Sequence, residues 1–326
     1  MKKAIFFLIL APFFWAGNFI IGRATHSFLS PIELNLYRWA LVVIITLPFG
    51  LKGIFKNKDT IVKNLPKLIA LSFMGITLYP YMVYYGLSSS NALNGGIYTA
   101  LIPVFIIVLS TKNFFGKDNR FILIGTLIAF VGSVYIFAKG DFHSLFNNKI
   151  NRGDLVLFLS TFIWAIYTIK IKEITSIDSF VLLCLTSLFG LILFSPILFF
   201  VSINIGNLLG NTNALFSIFY ISLFSSVFAY GFWIYGVKNT SASTAGNFIY
   251  LLPIFISIMS VVILREGIQN YHLVGGAMIL VGLIITVFCS NYNDKTPHQV
   301  AIALPVLMPV RPVRVSPMAK PRRSRK

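Results

Sequence analysis

Charged side chains are the scarcest class in the 326-residue sequence, at only 11% of its residues. Charged residues make up about 25% of a soluble domain. A soluble protein of this size would need more polar surface than this chain can provide. Hydrophobic residues make up 57% of the chain, with 32 Phe and 14 Tyr, and the mean hydropathy is +0.83. The composition indicates a polytopic membrane protein and excludes a globular enzyme with one hydrophobic anchor.

Cysteine and histidine are also scarce, with two and four residues. Cys184 and Cys289 both lie in apolar runs, where we interpret them as small apolar side chains, and they lack the spacing of a metal site. The four His are scattered at span ends and in loops, without a hydrolase or zinc motif. We therefore expect no catalytic residues, no metal and no cofactor, so the chain is not predicted to be an enzyme.

Acidic residues are few, since nine Asp and Glu stand against 27 Lys and Arg, and the net charge is +18. In a soluble chain this excess would suggest nucleic-acid binding, whereas in membrane proteins Lys and Arg concentrate on the cytoplasmic side. Placing the amino terminus inside puts most basic residues on that side. We therefore expect a multi-pass protein of the cell (inner) membrane, with both termini cytoplasmic and no nucleic-acid partner.

Ten stretches are apolar and long enough to approach the roughly 20 residues that cross a bilayer. They cover residues 4–22, 34–51, 68–87, 92–111, 120–137, 153–170, 179–201, 214–237, 243–264 and 271–290. The predicted fold is therefore all-α, with ten transmembrane helices joined mostly by short turns.

The two halves of the chain repeat each other. The segment 85–105 recurs as 235–255 without a gap, and the matches include paired Gly, Pro and aromatic positions. Because each copy holds five spans, an odd number, the second copy is expected to enter the membrane upside down. Inverted repeats are common in secondary transporters, where the substrate site lies near mid-membrane between the halves. The predicted domains are a first five-helix repeat at 1–139, a second, inverted repeat at 150–290, and a disordered, basic cytoplasmic tail at 291–326.

Three short patterns carry a resemblance to a known family. They are the run Phe14-Trp15-Ala16-Gly17-Asn18-Phe19, the pair Arg38-Trp39, and Pro253 followed thirteen residues later by Glu266. Over residues 1 to about 290 the chain resembles the drug/metabolite transporter superfamily, EamA type. The resemblance implies a secondary membrane transporter that moves small organic metabolites, amino acids or amphipathic compounds including drugs, by export or exchange. The first half lacks an acidic residue thirteen positions after Pro103, so any role of that Glu is carried over only to Glu266.

Polar side chains are costly in hydrocarbon, so those within the spans are expected to face the bundle interior or water. Aromatic and amide side chains that share a helix face at i, i+3 or i+4 could surround a substrate. The predicted substrate-binding residues are Trp15, Asn18, Asn94, Tyr98, Trp164, Tyr167, Tyr230, Trp233, Asn247 and Tyr250. The alternative is that Tyr and Trp form interfacial belts and that Asn side chains bond between helices.

Charged residues near the first outward loop form a second candidate set. Arg23 and Arg38 flank Glu33, and the three could form a gate whose ion pairs rearrange during transport. The alternatives are a structural ion pair or side chains that extend to the membrane surface. Glu266, at the end of the ninth span, could be a proton site or a solvated charge.

Glycines in the fifth and tenth spans are expected to allow close helix contact, either within the chain or in a homodimer. They are Gly125, Gly132, Gly275, Gly276 and Gly282. Two other functions stay open at this point. An integral membrane enzyme acting on lipids would need convergent acidic, His or Ser side chains near one interface, and a structural membrane protein would need no substrate. The expected partners are a small-molecule substrate and the lipid bilayer.

Overall fold

The computed structural model describes residues 1–25, 28–90, 92–110, 120–143, 145, 151–203, 205–265 and 267–303. Within these ranges it leaves out the side chains of residues 20, 22–25, 92–93, 207, 264 and 289–303. All regular secondary structure in the described ranges is helical.

Ten long helices coincide with the ten predicted spans. They are α1 Lys2–Thr25, α2 Pro31–Lys56, α3 Leu65–Ser89, α4 Ala92–Ser110, α5 Arg120–Phe137, α6 Arg152–Ile171, α7 Ser179–Phe199, α8 Thr212–Lys238, α9 Ala242–Ile263 and α10 Asn270–Ala303. Among the described residues, nine of these helices meet the length and hydropathy of a membrane span, and α4 contributes the shorter apolar stretch Asn94–Ser110. The prediction of an all-α, polytopic membrane fold is confirmed.

The last helix is longer than the span predicted at 271–290. Helix α10 is described as far as Ala303, and its apolar, membrane-length part is Asn270–Phe288. The remainder of the predicted tail, 304–326, lies outside the described residues.

Capping boxes define the starts of α2 and α6. In α2 the Ser30 hydroxyl accepts from the Glu33 amide at 3.2 Å, and the Glu33 carboxylate accepts from the Ser30 amide at 2.9 Å. In α6 the Asn151 side chain accepts from the Asp154 amide at 3.0 Å, and Asp154 accepts from the Asn151 amide at 2.8 Å. Each box satisfies amide groups that have no partner within the helix. Two acidic side chains are thereby committed to helix ends.

A π-helical turn interrupts α3 at Phe73–Leu78 and α8 at Leu223–Phe228. The two turns lie 150 positions apart, which is the offset of the sequence repeat. Single π-turns inside α-helices occur frequently at functional sites, because they displace backbone groups from the regular ladder. The repetition therefore extends from residue identity to a local backbone distortion.

Within the compact unit Met1–Ser290, helices from one half of the chain pack against helices from the other half. Helix α1 packs against α8 and α9, and its counterpart α6 packs against α3 and α4. Likewise α2 packs against α8, and α7 packs against α3. The outcome is two groups of three helices, α1–α8–α9 and α3–α4–α6, each built from both halves of the chain.

Helices α5 and α10 touch through their backbones. A Cβ atom on Gly125 would lie 2.6 Å from the carbonyl oxygen of Gly282, and one on Gly132 would lie 2.7 Å from that of Gly275. Only glycine fits such an approach, so the predicted close packing is confirmed at these four positions. A Cβ atom on Gly276 would meet nothing within 4 Å, and a homodimer contact there stays a prediction.

Candidate functional site

A cavity of about 560 Å³, including the part open to solvent, lies between the two three-helix groups. One wall comes from α1, α8 and α9, the other from α3, α4 and α6, and α2 contributes one residue. Four predicted binding residues line it: Trp15, Asn18, Trp164 and Tyr230. The cavity thus draws on both repeats, and the i, i+3 relation of Trp15 and Asn18 brings both side chains into it.

Most of the remaining lining residues were not predicted as substrate-binding. They include Phe19 on α1, Tyr79, Pro80, Val83 and Tyr84 on α3, and Thr99 on α4. Three aliphatic side chains complete the wall, namely Ile102, Ile249 and Leu252. The side chains of Pro80 and Val83 carry no polar atom, so a search for polar residues within the spans could not detect them.

The cavity occupies the end of the bundle where α1 joins α2. Successive spanning helices alternate in direction, so the end of α1, the start of α2 and the end of α3 lie at one side of the membrane. Phe19, Arg38 and Tyr84 are at or near these helix ends, while Trp164 lies past the middle of α6. The cavity therefore extends from one side of the bundle to about mid-depth.

Five aromatic rings pack together near mid-depth, and we name Trp15, Trp39, Trp164, Tyr230 and Trp233 the aromatic floor. Trp15, Trp164 and Tyr230 line the cavity directly, and the other two rings pack behind them. The ring centroids of Trp15, Trp164 and Trp233 lie 5.4 to 6.0 Å apart. The Tyr230 ring packs edge-on against Trp15, Trp39 and Trp164 at centroid distances of 5.1 to 5.9 Å. Such pairs contribute about 0.5–1.5 kcal/mol each beyond their buried area. All four tryptophans of the chain belong to this floor. Another predicted residue, Tyr167, packs against the ring of Trp164 at 5.0 Å.

Arg38 lines the cavity although only 3% of its surface is exposed. Its Nε donates to the Ser226 hydroxyl at 2.6 Å, one terminal nitrogen donates to the Tyr84 hydroxyl at 2.8 Å, and the other donates to the Ser225 carbonyl at 3.3 Å. The guanidinium also lies 5.5 Å from the centre of the Tyr230 ring. The ion pairs found among the described residues are those of Glu173 with Lys67 and with Lys170, and neither involves Arg38. Arg38 is therefore a buried cation held by neutral partners.

The π-turns present equivalent carbonyls to this site. In α8 the Ser225 carbonyl accepts from the Trp15 indole at 3.1 Å as well as from Arg38. In α3 the Gly75 carbonyl, at the repeat-equivalent position, accepts from the Tyr230 hydroxyl at 3.2 Å. Each distorted turn thus anchors an aromatic ring of the floor contributed by the other half.

Several buried polar atoms around the cavity make no hydrogen bond to the described residues. They are Asn18 Oδ1, the indole nitrogens of Trp39 and Trp233, and the Tyr167 hydroxyl. Buried polar atoms in native proteins are nearly always paired, so each such exception calls for a ligand, a water or a functional explanation. Of these residues Asn18 lines the cavity, so its side-chain oxygen can accept a hydrogen bond from an occupant.

Six predicted binding residues do not line the cavity: Tyr167 and Trp233, which pack behind Trp164, and Asn94, Tyr98, Asn247 and Tyr250. Asn94 donates to Asp154 at 2.8 Å, and the ring of Tyr98 packs edge-on against Phe158 at 6.2 Å. These contacts join α4 to α6. Asn94 thus follows the alternative in which Asn bonds between helices.

The corresponding pair on α9 is also turned away from the cavity. Asn247 accepts from the Thr126 hydroxyl at 2.8 Å and donates to the Ser243 carbonyl at 2.9 Å. Tyr250 is fully buried in a cluster that includes Ala129 of α5 and Ile279 of α10. Both residues therefore serve contacts with the helices that flank the cavity groups.

Two of the three residues predicted as a gate have described side chains, Glu33 and Arg38. Glu33 belongs to the cap of α2, and Arg38 directs its donors to α3 and α8 instead of to Glu33. The gate formed by these residues with Arg23 stays a prediction. The side chain of Arg23, like those of Glu266 and Cys289, lies outside the described residues.

Asp154 was missed as a buried charge of α6, although its spacing of three from Asn151 is a capping signal. Its carboxylate is 0% exposed. It accepts from the Ser90 hydroxyl, from Asn94 at 2.8 Å and from the Asn151 amide at 2.8 Å. It therefore ties the turn between α3 and α4 to the start of α6. Within the described part of the chain, no three His, Cys, Asp or Glu residues are grouped so as to hold a metal ion.

The side of the bundle opposite the cavity is closed by a small set of polar contacts across the two groups, which we name the far-end seal. They are Ser110 Oγ to Ser243 Oγ at 3.1 Å, Lys172 Nζ to the Thr240 carbonyl, and Lys238 Nζ to the Ile177 carbonyl. These contacts join the ends of α4 and α6 to the facing ends of α8 and α9, so the structure is open on one side of the floor and closed on the other.

Known proteins resemble this chain over most of its length. The model of the EamA-like transporter family matches it twice, over residues 2–138 and 151–288. An uncharacterized transporter of Archaeoglobus fulgidus is 27% identical over 289 residues, which cover 87% of this chain and 97% of that protein. The uncharacterized transporter YyaM of Bacillus subtilis is 25% identical over 312 residues, or 90% of this chain and 98% of YyaM.

One solved crystal structure shares the fold at 14% sequence identity, with a TM-score of 0.70 that covers 90% of this chain and 100% of the other. The relatives cited above are named transporters. The hypothesis of a membrane enzyme acting on lipids therefore has no support from them.

Proposed function

Because the chain belongs to the EamA-like transporter family, we propose that it is a secondary transporter that moves small organic metabolites by alternating access. Amino acids and amphipathic compounds are the proposed substrates, and export or exchange is the proposed mode. The observation that carries this proposal is the cavity between α1–α8–α9 and α3–α4–α6. A cleft between two bodies that each contain both repeats is the arrangement that a rocking motion requires.

Alternating access follows from the exchange of halves. If the second repeat is inverted, the two groups have conformations that can be interchanged, and the substrate site stays near the centre. In the present conformation the mouth is at the α1–α2 side and the far-end seal is intact. Breaking that seal and closing the mouth would transfer the same cavity to the opposite side.

The direction of the mouth follows from the charge distribution. Lys172 and Lys238 lie at the sealed side, and basic residues mark the cytoplasmic side of membrane proteins. We therefore propose that the sealed side is cytoplasmic and that the cavity faces the exterior of the cell membrane, with both termini inside. The proposal includes the inverted orientation of the repeats.

Reconstitution of the purified protein in liposomes tests this function. We expect saturable uptake of a labelled organic metabolite that is accelerated by unlabelled substrate on the opposite side and does not require ATP. A panel of amino acids, organic acids and amphipathic amines supplies the solutes, and liposomes without protein supply the control. Absence of flux and of exchange for the whole panel, with folded protein in the membrane, would contradict the proposal.

A further inference from the structure

We propose that the cavity selects organic anions, with the carboxylate of the substrate bound by Arg38 and its aromatic or branched apolar body resting on the aromatic floor. This inference rests on the proposed function in one respect, namely that the cavity is the site where substrate binds.

The geometry of Arg38 leaves it donors to offer. A guanidinium carries five N–H groups in a planar fork that matches a carboxylate. Among the described residues three of these groups are used, by Ser226, Tyr84 and the Ser225 carbonyl. Two remain for an occupant of the cavity that Arg38 lines.

The partners of Arg38 orient the cation without neutralising it. The Ser226 hydroxyl donates to the Ile221 carbonyl at 2.8 Å and can therefore only accept from Arg38. The Ser222 hydroxyl donates to the backbone carbonyl of Arg38 at 3.1 Å, which holds this turn of α2 against α8. The π-turn of α8 supplies the Ser225 carbonyl. These neutral groups fix the guanidinium in one position while its full positive charge persists.

The charge of the cavity is consequently positive. Among the residues whose side chains the structure describes, none that lines the cavity is acidic, and Arg38 is the one charged residue of the lining. Two described carboxylates are buried on this side of the bundle, and both have partners: Glu33 accepts from Ser30, and Asp154 accepts from Ser90, Asn94 and Asn151. A buried charge without a counter-charge is costly in a low-dielectric interior. An anionic substrate would supply that counter-charge, and a cation of the same shape would be repelled.

The other features of the cavity define the body of the substrate. Indole and phenol rings at mid-depth provide an apolar surface, which favours an aromatic or branched hydrocarbon group. Asn18 Oδ1 has no hydrogen-bond partner among the described residues, so it can accept from a hydroxyl or amino group near the carboxylate. A 2-hydroxy or 2-amino carboxylate with a large apolar side chain combines all three elements.

The site carries its own spectroscopic reporter, because all four tryptophans of the chain lie in the floor. Titration of the purified protein in detergent with three compounds of similar shape therefore measures binding at this cavity. The compounds are 3-phenylpropanoate, its neutral alcohol 3-phenylpropanol, and the cation phenethylamine. We expect the anion to bind at least tenfold more tightly than either of the others, and 3-phenyllactate to bind more tightly than 3-phenylpropanoate.

Variants assign the preference to the guanidinium. Arg38→Gln should remove the preference for the anion, and Arg38→Lys should retain part of it, because the charge stays while the planar fork is lost. Arg120→Gln is the matched control, since Arg120 lies at the exposed start of α5 and stacks on Phe121. Ser226→Ala removes one acceptor of Arg38 but keeps the positive charge. The preference for the anion should therefore persist in this variant, although the guanidinium is held less firmly.

The outcomes separate this inference from the proposed function. Equal binding of the anion and the amine by the wild-type protein would overturn the anion site, and this comparison needs no variant. An unchanged preference in folded Arg38→Gln would also overturn it, and Arg38 would then be a structural link between α2, α3 and α8. Liposome flux without anion preference would leave the transport function standing, whereas anion-selective binding without flux would overturn transport and leave the site.

Discussion

Asp154 and Arg38 are both buried near the same side of this helical bundle, and they differ in how fully they are bonded. Asp154 is 0% exposed and accepts three hydrogen bonds, which tie α3 and α4 to α6. Arg38 is 3% exposed, faces the cavity and keeps donors that its neighbours do not use. A saturated buried charge serves structure, whereas an unsaturated one beside a cavity is available to a ligand. The comparison predicts different consequences for the two residues.

The largest effect on stability is expected at Asp154. Asp154→Ala leaves the side chains of Ser90 and Asn94 without their acceptor and removes half of the capping box of α6, and hydrogen bonds to charged groups are worth about 1.5–3 kcal/mol each. We expect the free energy of unfolding in detergent to fall by about 3 kcal/mol. Asp178→Ala is the control, because its side chain accepts a single exposed bond from Phe180, and loss of such a cap costs about 1 kcal/mol. Equal losses in the two variants would contradict the structural role of Asp154.

Removal of the other buried charge should affect binding more than folding. Arg38→Gln removes three hydrogen bonds from a charged donor, but it also removes the cost of burying a cation without a counter-charge. Because the two effects oppose each other, we expect the free energy of unfolding to fall by only about 1 kcal/mol. The tryptophan fluorescence response to 3-phenylpropanoate should instead weaken at least tenfold. A loss of stability as large as that of Asp154→Ala, with anion binding retained, would reverse the comparison.

Two amides on neighbouring helices sharpen the same contrast. Asn94→Ala removes a donor to Asp154 and should lower the unfolding free energy by about 1.5 kcal/mol. Asn18→Ala removes a side-chain oxygen that has no partner among the described residues. Its stability should stay within about 0.5 kcal/mol of the wild type, while binding of 3-phenyllactate falls to that of 3-phenylpropanoate. Thermal unfolding and fluorescence titration of both variants check the pair.

An exposed charge supplies the lower limit of the series. Glu173 lies after the end of α6 and bonds Lys170 at 2.6 Å, and this hydrogen bond holds the pKa of the Glu173 carboxyl below its usual value, against a smaller opposing effect of burial. A lowered pKa in the folded state gives stability that is present above the unfolded pKa and is lost as the pH falls through the folded pKa. Because solvent screens the pair, Glu173→Gln should cost less than about 0.5 kcal/mol at pH 7. A larger, pH-dependent loss of unfolding free energy would show that an exposed charge can contribute as much to stability as a buried one.

Much of the fold was predictable because it depends on patterns local in the chain. The ten spans follow from length and hydropathy alone, and the close contact of α5 and α10 follows from paired glycines such as Gly125 and Gly282. The two π-turns were not predicted, because the sequence contained no signal for them, although they lie at the same offset of 150 residues as the repeat. The predicted tenth span at 271–290 agrees with the apolar part of α10, Asn270–Phe288.

The candidate site was predictable only in part, because its members meet through distant contacts. Trp15, Asn18, Trp164 and Tyr230 were found as polar or aromatic residues on shared helix faces. The same reasoning selected Asn94 and Asn247, which bond Asp154 and Thr126 outside the cavity lining. Helix periodicity tells which residues share a face, but not which neighbour that face meets.

The sequence by itself determined that this protein spans a membrane with ten helices arranged as two related halves, because apolar length and repeated residues need no partner to be recognised. Only the tertiary structure decided which buried charge is saturated and which is not. Arg38 meets Ser226 across 188 positions of the chain, and its environment depends on the rotation and packing of three helices. Hydropathy cannot encode that geometry, since it assigns an arginine the same value whether its partner is a hydroxyl or a substrate.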